Sequence, residues 1–181
     1  MLIQLKYFVA DYKRICGRKK SRLLLTWLNR NAVGVFTYRL ERGLYLLFRK
    51  YYFIIRILFL PFFLLMYAYS NLDIHYKADI GPGLKVLHPA IGLVISGESI
   101  LGKNLTVTGG NVIGSRGGAG KHHIVIGDNC TMGANSCIID PLIIGNNVNI
   151  GAGAVVVKDA QDNAVLVGVP AKNVKINLPI H

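Results

Sequence analysis

The stretch Ile126–Val156, IGDNCTMGANSCIIDPLIIGNNVNIGAGAVV, decides the fold. Aliphatic or sulfur-bearing apolar side chains recur every six positions: Ile126, Met132, Ile138, Ile144, Ile150 and Val156. Glycine often follows them, at 127, 133, 145 and 151, and four positions after each falls a small or aliphatic residue: Cys130, Ser136, Leu142, Val148 and Ala154. A helix would show a period near 3.6 and an ordinary strand a period of 2. A hexamer repeat predicts a parallel β-helix in which three hexamers close one triangular coil. The aliphatic residue points inward, and glycine is expected to let the backbone bend at the corner.

Outward from that stretch the period continues in two other registers, Ile74-Ile80-Val86 and Ile95-Leu101-Val107-Ile113. Val86 to Ile95 is nine residues, three too many, and Ile113 to Ile126 is thirteen, which reads as two repeats plus one residue. Regular repeats build scaffold, and function concentrates on the loops that a rigid scaffold positions. One break follows His88; the other is Gly114-Ser-Arg-Gly-Gly-Ala-Gly-Lys-His-His123, glycine-rich with two histidines.

The chain has 181 residues and a net charge of +12. Residues 1–56 hold thirteen Lys/Arg against Asp11 and Glu41, whereas residues 57–181 are nearly balanced. A nucleic-acid partner is disfavoured, because the basic residues lie among long apolar runs. Tyr51–Tyr69, YYFIIRILFLPFFLLMYAY, approaches the ~20 apolar residues a spanning helix needs, but Arg56 and Pro61 interrupt it. The pattern favours a helix lying in the membrane interface with basic residues on anionic headgroups. Packing within the protein and a true span remain alternatives. Cys16, Cys130 and Cys137 give no disulfide framework; Cys130 fits the core, and Cys16 is open to exposure. With no evident signal peptide, the expected location is cytoplasmic, peripheral on the inner face of the plasma membrane. The expected division is a helical membrane-associating segment 1–72, a β-helix 73–174 and a tail 175–181.

Two stretches carry a family resemblance: Asp73-Ile-His-Tyr-Lys-Ala-Asp-Ile-Gly-Pro-Gly-Leu-Lys-Val-Leu-His88, and Ile150-Gly-Ala-Gly-Ala-Val-Val-Val-Lys-Asp followed by Val167-Gly-Val-Pro-Ala-Lys172. They resemble the left-handed β-helix of hexapeptide acyltransferases of the serine acetyltransferase type. The loop Gly114-Ser-Arg-Gly117 and the basic, apolar N-terminus resemble the small O-acetyltransferases of exopolysaccharide and capsule synthesis, such as the colanic-acid enzyme. The resemblance implies an acetyl-CoA-dependent O-acetyltransferase that works as a homotrimer with active sites between subunits. It implies that His88 is the general base, a role imidazole suits near neutrality, and that Asp73 orients it. His123, with His122 as rival, is the second histidine of the site. Ser115 and Arg116, with Lys121, would contact phosphate or acceptor. Ala134 and Ala152 would bond the pantetheine arm through their backbone, with Lys158 and Lys172 at the phosphates of CoA. His75 is read as structural or surface.

Serine acetyltransferases carry aspartate just before the catalytic histidine, where it holds the amino group of serine; here that position is Leu87. Together with the N-terminal composition, this favours a sugar of a surface polysaccharide or its lipid-linked precursor as acceptor. Serine or another small molecule is the alternative. A zinc β-helix lyase using His88, His122 and His123 and a non-catalytic scaffold are weaker readings, and no metal is expected.

Overall fold

A computed structural model describes residues 1–17, 28–114, 124–139 and 141–174. Among these residues four helices come first: α1 (Leu2–Cys16), α2 (Arg30–Phe48), α3 (Tyr52–Leu58) and α4 (Leu60–Ser70). Fifteen short strands follow in three parallel-stacked sheets. The first sheet holds β1 (Leu72–Ile74), β4 (Leu93–Ile95), β7 (Asn111–Gly114), β10 (Cys137–Ile139) and β13 (Val155–Val156). The second holds β2 (Asp79–Ile80), β5 (Ser99–Leu101), β8 (Ile124–Ile126) and β11 (Ile143–Ile144). The third runs β3 (Lys85–Val86), β6 (Thr106–Val107), β9 (Thr131–Met132), β12 (Asn149–Ile150) and β14 (Val165–Val167), closed by β15 (Lys172–Asn173). Each strand pairs in parallel with the strand one coil away, as Ile95 does with Ile113 and Met132 with Ile150; among the described strands only β14–β15 is antiparallel. The expected β-helix is therefore present.

Every inward position assigned from the period is buried, from Ile74, Ile80 and Val86 to Ile144, Ile150 and Val156. The four-on positions Cys130, Ser136, Leu142, Val148 and Ala154 are buried too. The corner works differently from the expectation. Gly127 and Gly145 are needed for close approach between coils: a Cβ on Gly127 would meet the backbone of Gly145 at 2.7 Å. The left-handed turn falls two residues later, mostly on asparagine: Asn104, Asn129, Asn135, Asn147 and Asn163 all have φ near +60°. Asparagine tolerates that region because its short polar side chain bonds locally. Asp128, Asn146 and Asp162 form a ladder across coils, with Asn146 Oδ1 accepting from the Asp128 N–H at 2.8 Å and Asp162 Oδ1 from the Asn146 N–H at 2.7 Å.

The breaks in the period also resolve. Ile113 and Ile126 lie on successive faces, in β7 and β8. Their separation is thus one hexamer step with seven extra residues, not two repeats plus one. The extra residues after His88 form a single 3-10 turn, Pro89–Ile91.

The helices close the N-terminal end of the coil. Asn29 caps α2, its Oδ1 accepting from the Asn31 and Ala32 amides at 3.0 and 3.4 Å. Val35, Tyr38 and Ile15 join the same apolar core as Leu72, Ile80 and Leu84. A buried ion pair pins the two parts together. Arg39 Nε lies 2.8 Å from Asp11 Oδ2, and both side chains are almost wholly enclosed. Arg39 also donates to the carbonyls of Ile80 and Gly81 at 2.6 and 2.7 Å. Asp11 Oδ1 accepts from the Gly83 and Leu84 amides at 2.6 and 2.8 Å. Cys16, whose exposure the sequence leaves open, is buried at the end of α1, and Cys130 is a core residue as expected.

Candidate functional site

His88 follows β3 at the corner where the third sheet hands the chain to the first. Its backbone is fixed on both sides. The His88 N–H donates to the Thr108 carbonyl at 2.8 Å, and its own carbonyl accepts from Ile91 at 3.3 Å. His88 is exposed. Asn71, which the repeat pattern does not single out, holds the following turn: its Nδ2 donates to the Ala90 carbonyl at 2.9 Å and its backbone carbonyl accepts from Leu93 at 3.3 Å. Asn71 sits in the left-handed region at φ 58°, after the last residue of α4. An Asn at the end of an apolar helical run is the available signal, since it marks a helix C-terminus.

Asp73 stands in the middle of β1, facing outward in the column that continues with Val94 and Val112. Its carboxylate and the His88 imidazole share no hydrogen bond in this structure, so the orienting contact is not formed here. Catalytic contacts of this kind often tighten only with substrate bound. His75 is stacked on Tyr76 with ring centroids 4.4 Å apart, and its Nδ1 accepts from the Lys77 amide at 3.1 Å. Burial, aided by Arg56 and Lys77, depresses its pKa below the usual histidine value. That is a structural environment, as expected. Ser115, Arg116, Lys121, His122 and His123 lie outside the described residues.

A cavity of about 600 Å³ is lined by the chain neighbours Leu87 and Pro89, while His88 itself is not among its described lining residues. Ile15, Leu28 and Val86 give it apolar walls, and Asn29, Asn31 and Lys85 supply polar groups. Asn31 is buried; its Nδ2 donates to the Val86 carbonyl, while its Oδ1 accepts no hydrogen bond among the described residues. Leu87 is 44% exposed at the rim. The N-terminal helices thus contribute half of this cavity, which the repeat pattern alone could not reveal.

At the other end of the coil, Met132 pairs with Ile150, which places Ala134 and Ala152 one above the other on successive coils. The Ala134 carbonyl accepts from Gly153 at 2.8 Å. The Ala134 and Ala152 N–H groups make no hydrogen bond among the described residues. Lys158 and Lys172 are both exposed, the former just beyond β13 and the latter on β15.

Comparison with known proteins places this geometry. The bacterial transferase hexapeptide (six repeats) family matches residues 123–158. The serine acetyltransferase of Bacillus pumilus is 30% identical over 162 residues, 89% of this chain and 70% of its own. Chloroplastic serine acetyltransferase 1 of Arabidopsis thaliana is 43% identical over 101 residues, 55% of this chain, which spans only 32% of the plant protein. The crystal structure of Neisseria gonorrhoeae serine acetyltransferase superposes with a TM-score of 0.80 at 33% identity, covering 99% of this chain and 68% of that one. The same enzyme solved with serine gives 0.76 at 35% identity, covering 95% of this chain and 69% of that one. The Brucella abortus serine acetyltransferase in complex with coenzyme A gives 0.74 at 26% identity, covering 93% and 66%.

These likenesses overturn the expectation of a polysaccharide sugar as acceptor. That expectation leans on Leu87 in place of an aspartate and on the N-terminal segment being foreign to serine acetyltransferases. The superposition instead covers nearly the whole chain, helices included. A few buried contacts, Asp11–Arg39 foremost, hold the helices on the coil whatever the surface residues are.

Proposed function

Because the chain belongs to the serine acetyltransferase family of hexapeptide-repeat transferases, we propose that it moves the acetyl group of acetyl-CoA onto the hydroxyl of a small-molecule acceptor, with L-serine the first candidate. The observation that carries this reading is the extent of the likeness, 30% identity along 89% of the chain to one serine acetyltransferase and a shared fold along 99% with another.

In this reading the acceptor occupies the cavity flanked by Leu87 and Pro89, with its hydroxyl toward the His88 imidazole. His88 takes the hydroxyl proton as the oxygen attacks the thioester carbonyl carbon. The tetrahedral intermediate then collapses, the C–S bond breaks, and the imidazolium returns its proton to the departing CoA thiolate. Such a base contributes about 10²–10⁴-fold. Asp73 serves as a positioning residue for the imidazolium, and His123 as the second histidine from the neighbouring loop. Acetyl-CoA lies along the coil, its pantetheine arm on the Ala134 and Ala152 amides and its phosphates on Lys158 and Lys172, with Ser115 and Arg116 contributing from the loop. A homotrimer is part of the proposal. It is supported by outward apolar residues on the coil, Val94, Ile100, Val112 and Ile143, which are 36–59% exposed in the single chain.

Leu87 cannot hold an ammonium. Among the described lining residues, Lys85 is the group able to meet the carboxylate of a zwitterion. Mass spectrometry of the reaction of the purified protein with acetyl-CoA and L-serine tests the reading, with O-acetylserine expected as the product. Lys85→Ala should raise the KM for serine by about 10–100-fold, the worth of one charged hydrogen bond, with the KM for acetyl-CoA unchanged. Absence of any acetylated product from serine and from related small hydroxy acids would sink the proposal.

A further inference from the structure

The apolar run that contains α3 and α4 carries one charged residue, Arg56, which in the sequence looks like an obstacle to contact with lipid. The structure turns it inward. Arg56 Nε lies 3.0 Å from Glu41 Oε1, and the Glu41 side chain is fully enclosed. The same carboxylate accepts from the Tyr52 hydroxyl at 2.6 Å and from the Tyr67 hydroxyl. Burial, together with the bonded carboxylate, raises both phenol pKa values above the ordinary tyrosine range, so both hydroxyls keep their protons. The Tyr52 and Tyr67 hydroxyls and the Arg56 Nε thus converge on Glu41, while the Arg56 side chain keeps 39% of its surface exposed.

What remains outside is apolar. Phe53, Ile54, Ile57, Leu58, Leu64 and Leu65 are each 56–74% exposed. Soluble surfaces seldom leave so many large apolar side chains together without a partner. The borders are basic and tyrosine-bearing. Arg49 and Lys50 are exposed at the start of α3, with Lys50 Nζ 4.9 Å from the Tyr51 ring centroid. Arg30 lies 5.8 Å from the Tyr69 ring centroid at the end of α4. Among the described residues before Leu72, both acidic side chains, Asp11 and Glu41, are fully buried. Every exposed charged side chain there is basic: Lys6, Lys13, Arg30, Arg49 and Lys50.

We propose that the α3–α4 elbow docks in the plane of an anionic lipid bilayer, its apolar face among the acyl chains and its basic borders on the headgroups. Charge complementarity selects this occupant over a second copy of the chain, whose matching borders would bring like charges together. Tyrosine and basic side chains at both borders suit the interface depth. Length argues for lying in the plane. α3 and α4 rise ~10 and ~16 Å, against a hydrocarbon core of ~30 Å. The axis bends by 78° between Arg30–Leu58 and Leu60–Ser70; no single helix among the described residues is long and apolar enough to cross, and only this bent pair together reaches that length and composition. The Pro61 interruption is what starts α4 in its new direction.

Flotation of the full-length protein with vesicles of phosphatidylcholine alone, and of phosphatidylcholine with phosphatidylglycerol, tests this. The protein should float with the anionic vesicles, with the apolar face keeping part of it bound in high salt. Arg49→Glu with Lys50→Glu should weaken binding to anionic vesicles by at least about thirtyfold, and Leu58→Asp with Leu65→Asp should abolish flotation. Both variants should retain their circular dichroism and acetyl-transfer rate, since these side chains are exposed and far in sequence from His88. Wild-type protein left at the bottom of the gradient with both vesicle types would overturn the proposal. So would an assembly in sedimentation that Leu58→Asp with Leu65→Asp dissociates without any flotation, which would assign the face to a second copy. Resistance of the protein to carbonate extraction from native membranes would overturn the in-plane geometry.

Discussion

Asp11 and Ile138 are equally inaccessible, yet they are buried for opposite reasons. Ile138 belongs to a column in which every sixth residue repeats the same contact with its neighbours one coil above and below. Its burial follows from the period, and apolar area removed from water stabilises it. Asp11 belongs to no period. It is held in the interior by Arg39 and two backbone amides, and its partners come from different parts of the chain. The coil is therefore specified redundantly by repetition, and the helical cap by a few polar contacts that each occur once.

Breaking the cap should have the largest effect. Asp11→Ala leaves Arg39 buried without its counter-ion and the Gly83 and Leu84 amides without an acceptor. Removing one partner of a buried pair costs about 3–5 kcal/mol, read as a lowered midpoint in chemical unfolding followed by circular dichroism. A loss below about 1 kcal/mol, less than the ordinary penalty for one unsatisfied buried group, would mean that the apolar contacts of Ile15, Val35 and Tyr38 alone fix the helices on the coil.

Within the coil a single substitution should cost less. Gly127→Ala places a methyl against the backbone of Gly145, and neither side can yield without separating two coils. Overpacking of this kind costs about 1–3 kcal/mol. Asn129→Gly, two residues on, keeps the left-handed conformation and should be close to neutral in the same unfolding measurement. If Gly127→Ala were neutral and Asn129→Gly costly, the assignment of close approach to glycine and of the turn to asparagine would be reversed.

The same contrast decides which features are legible in the amino-acid sequence. The inward column from Ile74 to Val156 is legible, because a period of six admits one placement of its aliphatic residues. The role of asparagine is not, since the glycine recurring at a fixed offset draws the turn assignment to itself. The thirteen residues from Ile113 to Ile126 fit two repeats numerically, and only strand pairing shows that they belong to one step with an insertion. In the cap, charge counting finds the surplus of basic residues but not their direction. Arg39 and Arg56 point inward to Asp11 and Glu41, 28 and 15 residues away along the chain, and no local pattern marks such pairs. The acceptor is misread for a related reason: surface composition is a poor guide to the N-terminal fold, which depends on those buried pairs.

For the candidate site, the period points to His88 because it immediately precedes a break. Lys85 and Asn31 stay hidden, because a cavity built between a coil and its cap leaves no trace in the repeat of either. Counting along the coil places Asp73 near His88. It lies on the strand where the first coil begins and forms no hydrogen bond with His88.

The claim most exposed to a direct test is that His88 is the base. Release of free CoA thiol from acetyl-CoA at saturating L-serine, compared between the wild type and His88→Ala, reads it. The oligomer mass and CoA affinity of the variant are measured alongside to show that the coil is intact. A fall of about 10²–10⁴-fold with both controls unchanged is the expected result. Retention of a tenth of the wild-type rate would contradict the account and remove His88 from the chemistry.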